Sequence, residues 1–196
     1  MSSPDPLPGP PGAPSEAAPA ASHDVLIVGG GLVGASLAIA LQGSGLDVAL
    51  VEAAPAGALP TVFDQRNLSL AEASLHALRA LGVLSRLRAP TGAIRRIHIS
   101  RSGDFGRVLL DAAEHGRDRF GEVVVARDFG DALEATLATL PRLRRYRPAR
   151  FLGFDDGSDD RRIARVATDA GESRIAARLV VAADGTASAV RDALGI

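Results

Sequence analysis

Cysteine is absent from all 196 residues, and so is lysine: each of the 22 basic residues is an arginine. Without cysteine there can be no disulfide, no thiolate metal site, no cysteine-ligated iron–sulfur cluster and no cysteine nucleophile. Without lysine there is neither a Schiff-base amine nor a P-loop lysine. No apolar run approaches the roughly 20 residues that span a bilayer, so membrane contact is expected to be peripheral at most. A charge excess is missing too. The 22 basic residues face 23 acidic ones, for a formal net charge of −1, which argues against a partnership with nucleic acid. The four histidines, His23, His76, His98 and His115, lack the grouping of metal ligands and read as surface or packed residues.

The length fits one domain, or one domain plus a tail. Residues 1–22 are rich in Pro, Ala and Ser with no apolar period, and read as a disordered tail. They lack the basic start and apolar core of a signal peptide and the Arg of a transit peptide, which agrees with a cytoplasmic protein. Residues 23–196 are then the folded domain.

The most informative stretch is Asp24 to Gly34. An apolar run leads into Gly29, Gly31 and Gly34, spaced G-x-G-x-x-G, and a helical pattern follows at once. A second apolar run, 47–52, ends in Glu52, eighteen positions after Gly34. Gly29 lets the chain turn sharply off a strand, Gly31 leaves room for a pyrophosphate, and Gly34 lets the helix pack close. The helix N-terminus offers N–H groups to phosphate, and Glu52 can accept from ribose hydroxyls. An acid there would repel a 2′-phosphate, which favours FAD or NAD over NADP.

Periodicity predicts strands at 24–29 and 47–52 around a helix over 32–43, a helix near 71–88, and strands at 94–101 and 107–111. A further strand runs from Glu122 to Arg127, and a helix from Phe129 to Leu140. Beyond Pro141 come short strands near 143–154, 161–169 and 173–183, the texture of a β-meander. The acidic turn Asp155 to Asp160 lacks the alternating ligands of a calcium loop. Arg142, Arg144, Arg145, Arg147 and Arg150 surround Tyr146; they read as a solvated strand face, with contact to anionic lipid as the rival. The strand Arg178 to Ala183 runs into Asp184-Gly185, and a helix begins near Ser188. Gly185 permits the turn, the helix end faces an anion, Asp184 can bond a hydroxyl, and Arg191 points to an anion or a structural acid.

These two constellations together resemble the N-terminal half of the flavoprotein aromatic hydroxylases, the class A FAD monooxygenases. The family pattern D-G-x-x-S-x-x-R is matched by Asp184, Gly185, Ser188 and Arg191. Within the family the chain is most similar to the ubiquinone-biosynthesis hydroxylases, the 2-octaprenyl-6-methoxyphenol hydroxylases in particular. That similarity lies in Phe63 to Leu70, Leu81 to Leu84, Ile97 to Arg101 with Phe105-Gly106, Ala182 to Thr186 and Leu194 to Ile196.

The resemblance implies an α/β, Rossmann-like FAD-binding domain of the p-hydroxybenzoate hydroxylase kind, with an inserted β-meander. It implies FAD as cofactor, its ADP part on Gly29, Gly31, Gly34 and Glu52, with Asp184 and Gly185 serving FAD and NAD(P)H. Arg66 would lie near the flavin phosphates and ribose, and Arg127 near the ribityl chain; Arg suits both through bidentate bonding. It further implies NAD(P)H and O2 as co-substrates, a lipid-tailed phenol as substrate, peripheral contact with the inner membrane, and association with other ubiquinone-biosynthesis proteins. No side chain here is expected to be catalytic.

The family's third motif, a strand followed by G-D, is not matched. Gly103-Asp104 and Gly130-Asp131 lack the expected following residues, and Gly130-Asp131 reads instead as capping a helix N-terminus. The motif and the substrate-binding portion are expected beyond residue 196, so the chain reads as a truncated N-terminal portion. Two rivals remain: a non-catalytic FAD-binding fragment, and an NAD- or FAD-dependent reductase, which the meander disfavours.

Overall fold

The computed structural model describes residues 19, 21–60, 65–103, 105–158 and 160–196. Most of the tail read over 1–22 lies outside these residues. So does Asp104 of the first G-D pair.

The chain opens with a βαβ unit: β1 (Ala21–Val28), α1 (Leu32–Ala40) and β2 (Val48–Val51). β2 lies parallel to β1, from Val25 opposite Val48 to Val28 opposite Val51. Val25, Ile27, Val48 and Leu50 pack with Ala35, Ala38 and Ile39 of α1. Leu26, Val28, Ala49 and Val51 point to a second apolar cluster on the other face. Burial on both faces explains why these strands are continuous apolar runs and do not alternate.

The chain then leaves the main sheet. It forms β3 (Asn67–Ala71), α2 (Glu72–Ala80), β4 (Gly92–Ile94), the ribbon β5 (Arg96–Ile99) and β6 (Val108–Asp111), β7 (Gly121–Val125) and α3 (Ala126–Leu137). β3, β7 and β4 make an antiparallel three-stranded sheet. Leu75, Leu78, Phe129, Leu133 and Leu137 carry α2 and α3 into the cluster under α1.

The return strand β8 (Arg144–Tyr146) joins the free edge of β2 in parallel. A meander of β9 (Ala149–Ser158), β10 (Arg161–Thr168) and β11 (Gly171–Ala182) follows, and β11 closes against β1 in parallel. The six strands lie in the order β8-β2-β1-β11-β10-β9. A short helix, α4 (Ala189–Ala193), follows the last strand. Among the described residues no helix is long and apolar enough to cross a membrane.

Several boundaries differ from the sequence reading. The helix expected over 71–88 ends at Ala80, because Gly82 adopts φ +72° and stops it; a 3-10 turn follows at Leu84–Arg86. Asn67–Ala71, read as the approach to that helix, is a strand, since its partner β7 lies 50 residues away and leaves no local trace. The strand expected over 143–154 is two strands, broken at Pro148, which has no N–H for the ladder. Gly130-Asp131 does not cap a helix N-terminus: α3 begins at Ala126, so the pair lies in its second turn and Asp128 is the first-turn acid.

Candidate cofactor site

Gly29 follows β1 directly and takes φ +103°, a conformation that side chains rarely adopt. Its N–H donates to the Val51 carbonyl at 2.8 Å, and the Ala183 N–H donates to the Val28 carbonyl at 2.8 Å. The ends of β1, β2 and β11 are thereby tied side by side. A Cβ on Gly29 would strike the Ala183 carbonyl oxygen and lie 2.8 Å from the Asp184 Cα. The first fingerprint glycine therefore sits where the two constellations touch, 155 positions apart in sequence.

Gly34 holds α1 down. A Cβ there would overlap the Gly29 carbonyl oxygen and approach the Ala183 methyl at 3.1 Å. Gly31 is the N-cap residue of α1, and no side chain caps the helix there; its first turn holds no acid. The positive end of the helix is thus left to an outside anion.

Glu52 ends the β2 run and is buried. Its Oε2 accepts the Gly30 N–H at 2.7 Å and its Oε1 accepts the Ala54 N–H at 2.6 Å. Each carboxylate oxygen keeps a further lone pair with which to accept a hydroxyl. Gly30 was not singled out in the sequence, yet a Cβ on it would fall 2.7 Å from Glu52 Oε2. The three consecutive glycines were the available signal. Glycine turn, uncapped helix end and carboxylate form a cradle that side chains would fill, and they fit a dinucleotide's pyrophosphate and ribose.

Arg66 and Arg127 are brought together at one end of the small sheet. The Ala126 N–H donates to the Arg66 carbonyl at 2.9 Å, and Asn67 pairs with Val125. Both side chains are exposed. Arg127 is the second residue of α3, and Arg66 precedes β3. α3 packs on α1 through their shared apolar cluster.

Asp184 and Gly185 form the turn after β11, with Gly185 at φ +86° in open space. The Asp184 carboxylate accepts from Ser188 Oγ at 2.6 Å and from the Val190 N–H at 3.1 Å. Ser188 Oγ in turn accepts the Arg191 N–H at 3.0 Å. The Val190 and Arg191 N–H groups of α4 are thus met from within the motif. Arg191 reaches the Thr186 carbonyl at 3.0 Å and Asp192 at 3.6 Å.

The arginine cluster around Tyr146 is not one solvated face. Arg145 and Arg147 both pair with Glu134 of α3, at 2.7 and 3.0 Å, and Arg144 lies 5.5 Å over the Tyr146 ring. Residue order shows charge but not which side chain turns inward. His23 is buried, with Nε2 2.9 Å from the Tyr146 hydroxyl and Nδ1 3.1 Å from Asp47. Among the described residues no group of three or more His, Asp or Glu could hold a metal ion.

Residues 22–196 match the model of the FAD binding domain family. The chain is 32% identical over 174 residues to ubiquinone hydroxylase UbiL of Rhodospirillum rubrum, covering 88% of this chain and 39% of that protein. It is 31% identical over 178 residues to 3-demethoxyubiquinol 3-hydroxylase of Escherichia coli, covering 88% of this chain and 44% of that one. The chain therefore spans about two fifths of the length of these relatives. Among solved structures, p-nitrophenol 4-monooxygenase PnpA of Pseudomonas putida shares the fold with a TM-score of 0.72 at 23% identity, over 89% of this chain and 44% of that one. Aklavinone-11 hydroxylase, solved with FAD and aklavinone, superimposes with a TM-score of 0.65 at 27% identity, over 89% of this chain and 35% of that one. The family match runs from the first strand to the last residue and takes in both glycine turns, and on that ground the chain belongs to the FAD binding domain family found in flavin-dependent monooxygenases.

Proposed function

We propose that this chain binds FAD through its adenosine diphosphate half, at the glycine turn between β1 and α1. The observation that carries the reading is the meeting of three features at one point: an uncapped helix end, a glycine cradle and the Glu52 carboxylate. Main-chain N–H groups of the α1 first turn receive the diphosphate, and Gly31 leaves it room. Glu52 accepts from the ribose hydroxyls. Arg66 and Arg127 serve the phosphate and ribityl portion, and the Asp184-Gly185 turn, pressed on Gly29, borders the flavin side.

The reading extends to the whole protein of which relatives are more than twice as long. We infer a monooxygenase that hydroxylates a polyprenylated phenol in ubiquinone synthesis with NAD(P)H and O2. Support comes from the ubiquinone hydroxylase and the 3-demethoxyubiquinol 3-hydroxylase, at 32% and 31% identity. FAD, when bound, would supply the redox chemistry between NAD(P)H and O2. The described residues bind and orient it; no side chain among them acts as nucleophile. A lipid-tailed substrate fits a protein that meets the inner membrane peripherally and works beside other enzymes of the same synthesis.

An absorption spectrum of the purified chain tests the cofactor assignment. Oxidised-flavin bands, present as isolated or after adding FAD and removing the excess, are the expected result. A preparation that is colourless as isolated, and again after incubation with FAD and removal of the excess, overturns it. Oxygen uptake by the full-length protein with NAD(P)H and a short-chain phenol then tests the reaction.

A further inference from the structure

We infer that Arg147 is a positioning residue for Glu52, and through it for the cofactor's ribose; this rests on the assignment of Glu52 to that ribose. The turn after Glu52 reads Ala53-Ala54-Pro55-Ala56-Gly57-Ala58. It has no polar side chain with which to hold its own shape, and Pro55 has no N–H. Only the Ala58 N–H to the Pro55 carbonyl, at 3.0 Å, closes it from within, and the rest of its order must come from elsewhere.

Arg147 supplies it. Nε donates to the Ala54 carbonyl at 3.1 Å, and Nη2 donates to the Pro55 and Ala58 carbonyls at 2.9 and 2.6 Å. Ala54 is therefore gripped from both sides: its carbonyl by Arg147, and its N–H by Glu52 Oε1 at 2.6 Å. The neighbours of Arg147 hold the Glu52 main chain as well. The Glu52 N–H donates to the Tyr146 carbonyl at 3.0 Å, and the Ala149 N–H donates to the Glu52 carbonyl at 2.8 Å.

The Arg147 side chain is only 8% exposed, and its charge is met by Glu134 at 3.0 Å. With its charge answered and its donors spent on carbonyls, Arg147 acts through the turn and not as a phosphate ligand. A lysine could not replace it, since three carbonyls and a carboxylate call for a planar fork of donors.

The test is FAD affinity, read by flavin fluorescence, in the natural chain, Arg147→Met, Glu52→Gln and the double variant. Hydrogen bonds to a charged group of this kind correspond to roughly tenfold in affinity, so each single change is expected to weaken FAD by about tenfold. The double variant should be within about twofold of Glu52→Gln alone, because Arg147 acts through the group already removed. A merely structural arginine would weaken FAD equally in both backgrounds; losses that multiply to roughly a hundredfold overturn the inference. So does an Arg147→Met chain that binds FAD normally while Glu52→Gln does not. If Glu52→Gln itself binds normally, the ribose assignment falls, and this inference with it. Should Arg147→Met fail to fold, Arg147→Lys keeps a cation opposite Glu134. Its smaller loss must likewise vanish when Glu52 is Gln, and a loss of equal size in both backgrounds overturns the inference.

Discussion

At Gly34 a single hydrogen in place of a methyl sets how closely a helix approaches a strand. Its position on α1 faces the Gly29 carbonyl, which a Cβ would overlap. Main-chain atoms cannot step aside as a side chain can, so α1 must lift. Gly34→Ala is therefore expected to cost on the order of 1–3 kcal/mol in stability and to weaken FAD tenfold or more. Thermal unfolding and a flavin titration check this, and an alanine variant unchanged in both contradicts it. Sequence spacing alone pointed to Gly29, Gly34 and Glu52, because a phosphate-binding turn repeats its geometry at fixed offsets. Gly30 showed only as one of three consecutive glycines and Arg147 only as one of a basic cluster; the partners of each were not legible. One is defined by a carboxylate 22 positions on, the other by carbonyls about 90 positions back.

Between elements, the join of β1, β2 and β11 carries a charge effect. Asp24 Oδ2 accepts the Asp47 N–H at 3.0 Å, and Oδ1 accepts from Arg178 at 3.3 Å. The main-chain hydrogen bond first, and Arg178 second, hold the Asp24 carboxyl below its ordinary value. A lowered folded-state pKa gives stability that is present above the unfolded value of about 4 and is lost as pH falls through the folded one. Asp24→Asn should therefore unfold at lower urea than the natural chain at about pH 6, and the gap should shrink below about pH 4. A gap that holds constant into acid contradicts the assignment. Packing between α1 and α3 is the larger effect. Phe129 is fully buried in the cluster they share, and Phe129→Ala is expected to cost about 3–5 kcal/mol by chemical denaturation. Apart from β3, which left no local trace, the main element types followed from periodicity, but their ends did not. Gly82 and Pro148 stop their elements by local chemistry that competes with an apolar period running straight through.

For the molecule as a whole, cofactor binding and folding are one equilibrium. A ligand that binds only the folded chain adds about 2.7 kcal/mol of stability at a hundred times its Kd. For a domain of this size that raises the thermal midpoint by several degrees. FAD should show this rise, and the Glu52→Gln chain should show less of it at the same concentration. An equal rise in both contradicts the site. The opening βαβ unit and the meander were legible as kinds of structure. Where β8 would go was not: it read as the first strand of the meander, yet it pairs in parallel with β2, across an excursion of more than 90 residues. The edge of β2 offers unpaired main-chain groups, and the chain returns to satisfy them.

The order of residues by itself determined the glycine turn, the helix behind it, the acid at the end of the second strand and the later Asp184-Gly185 turn. Each of these depends on neighbours a few positions apart, where steric limits and helix geometry act directly. Tertiary structure alone decided that Ala183 and Asp184 press on Gly29, that the Arg66 carbonyl meets the Ala126 N–H beside Arg127, and that Arg147 reaches the carbonyls of the turn behind Glu52. Those contacts join residues about 60 to 155 positions apart. The first and last arise because burial of apolar surface on both faces of the main sheet brings distant strand ends side by side, and the second because β3 pairs with β7 in the small sheet.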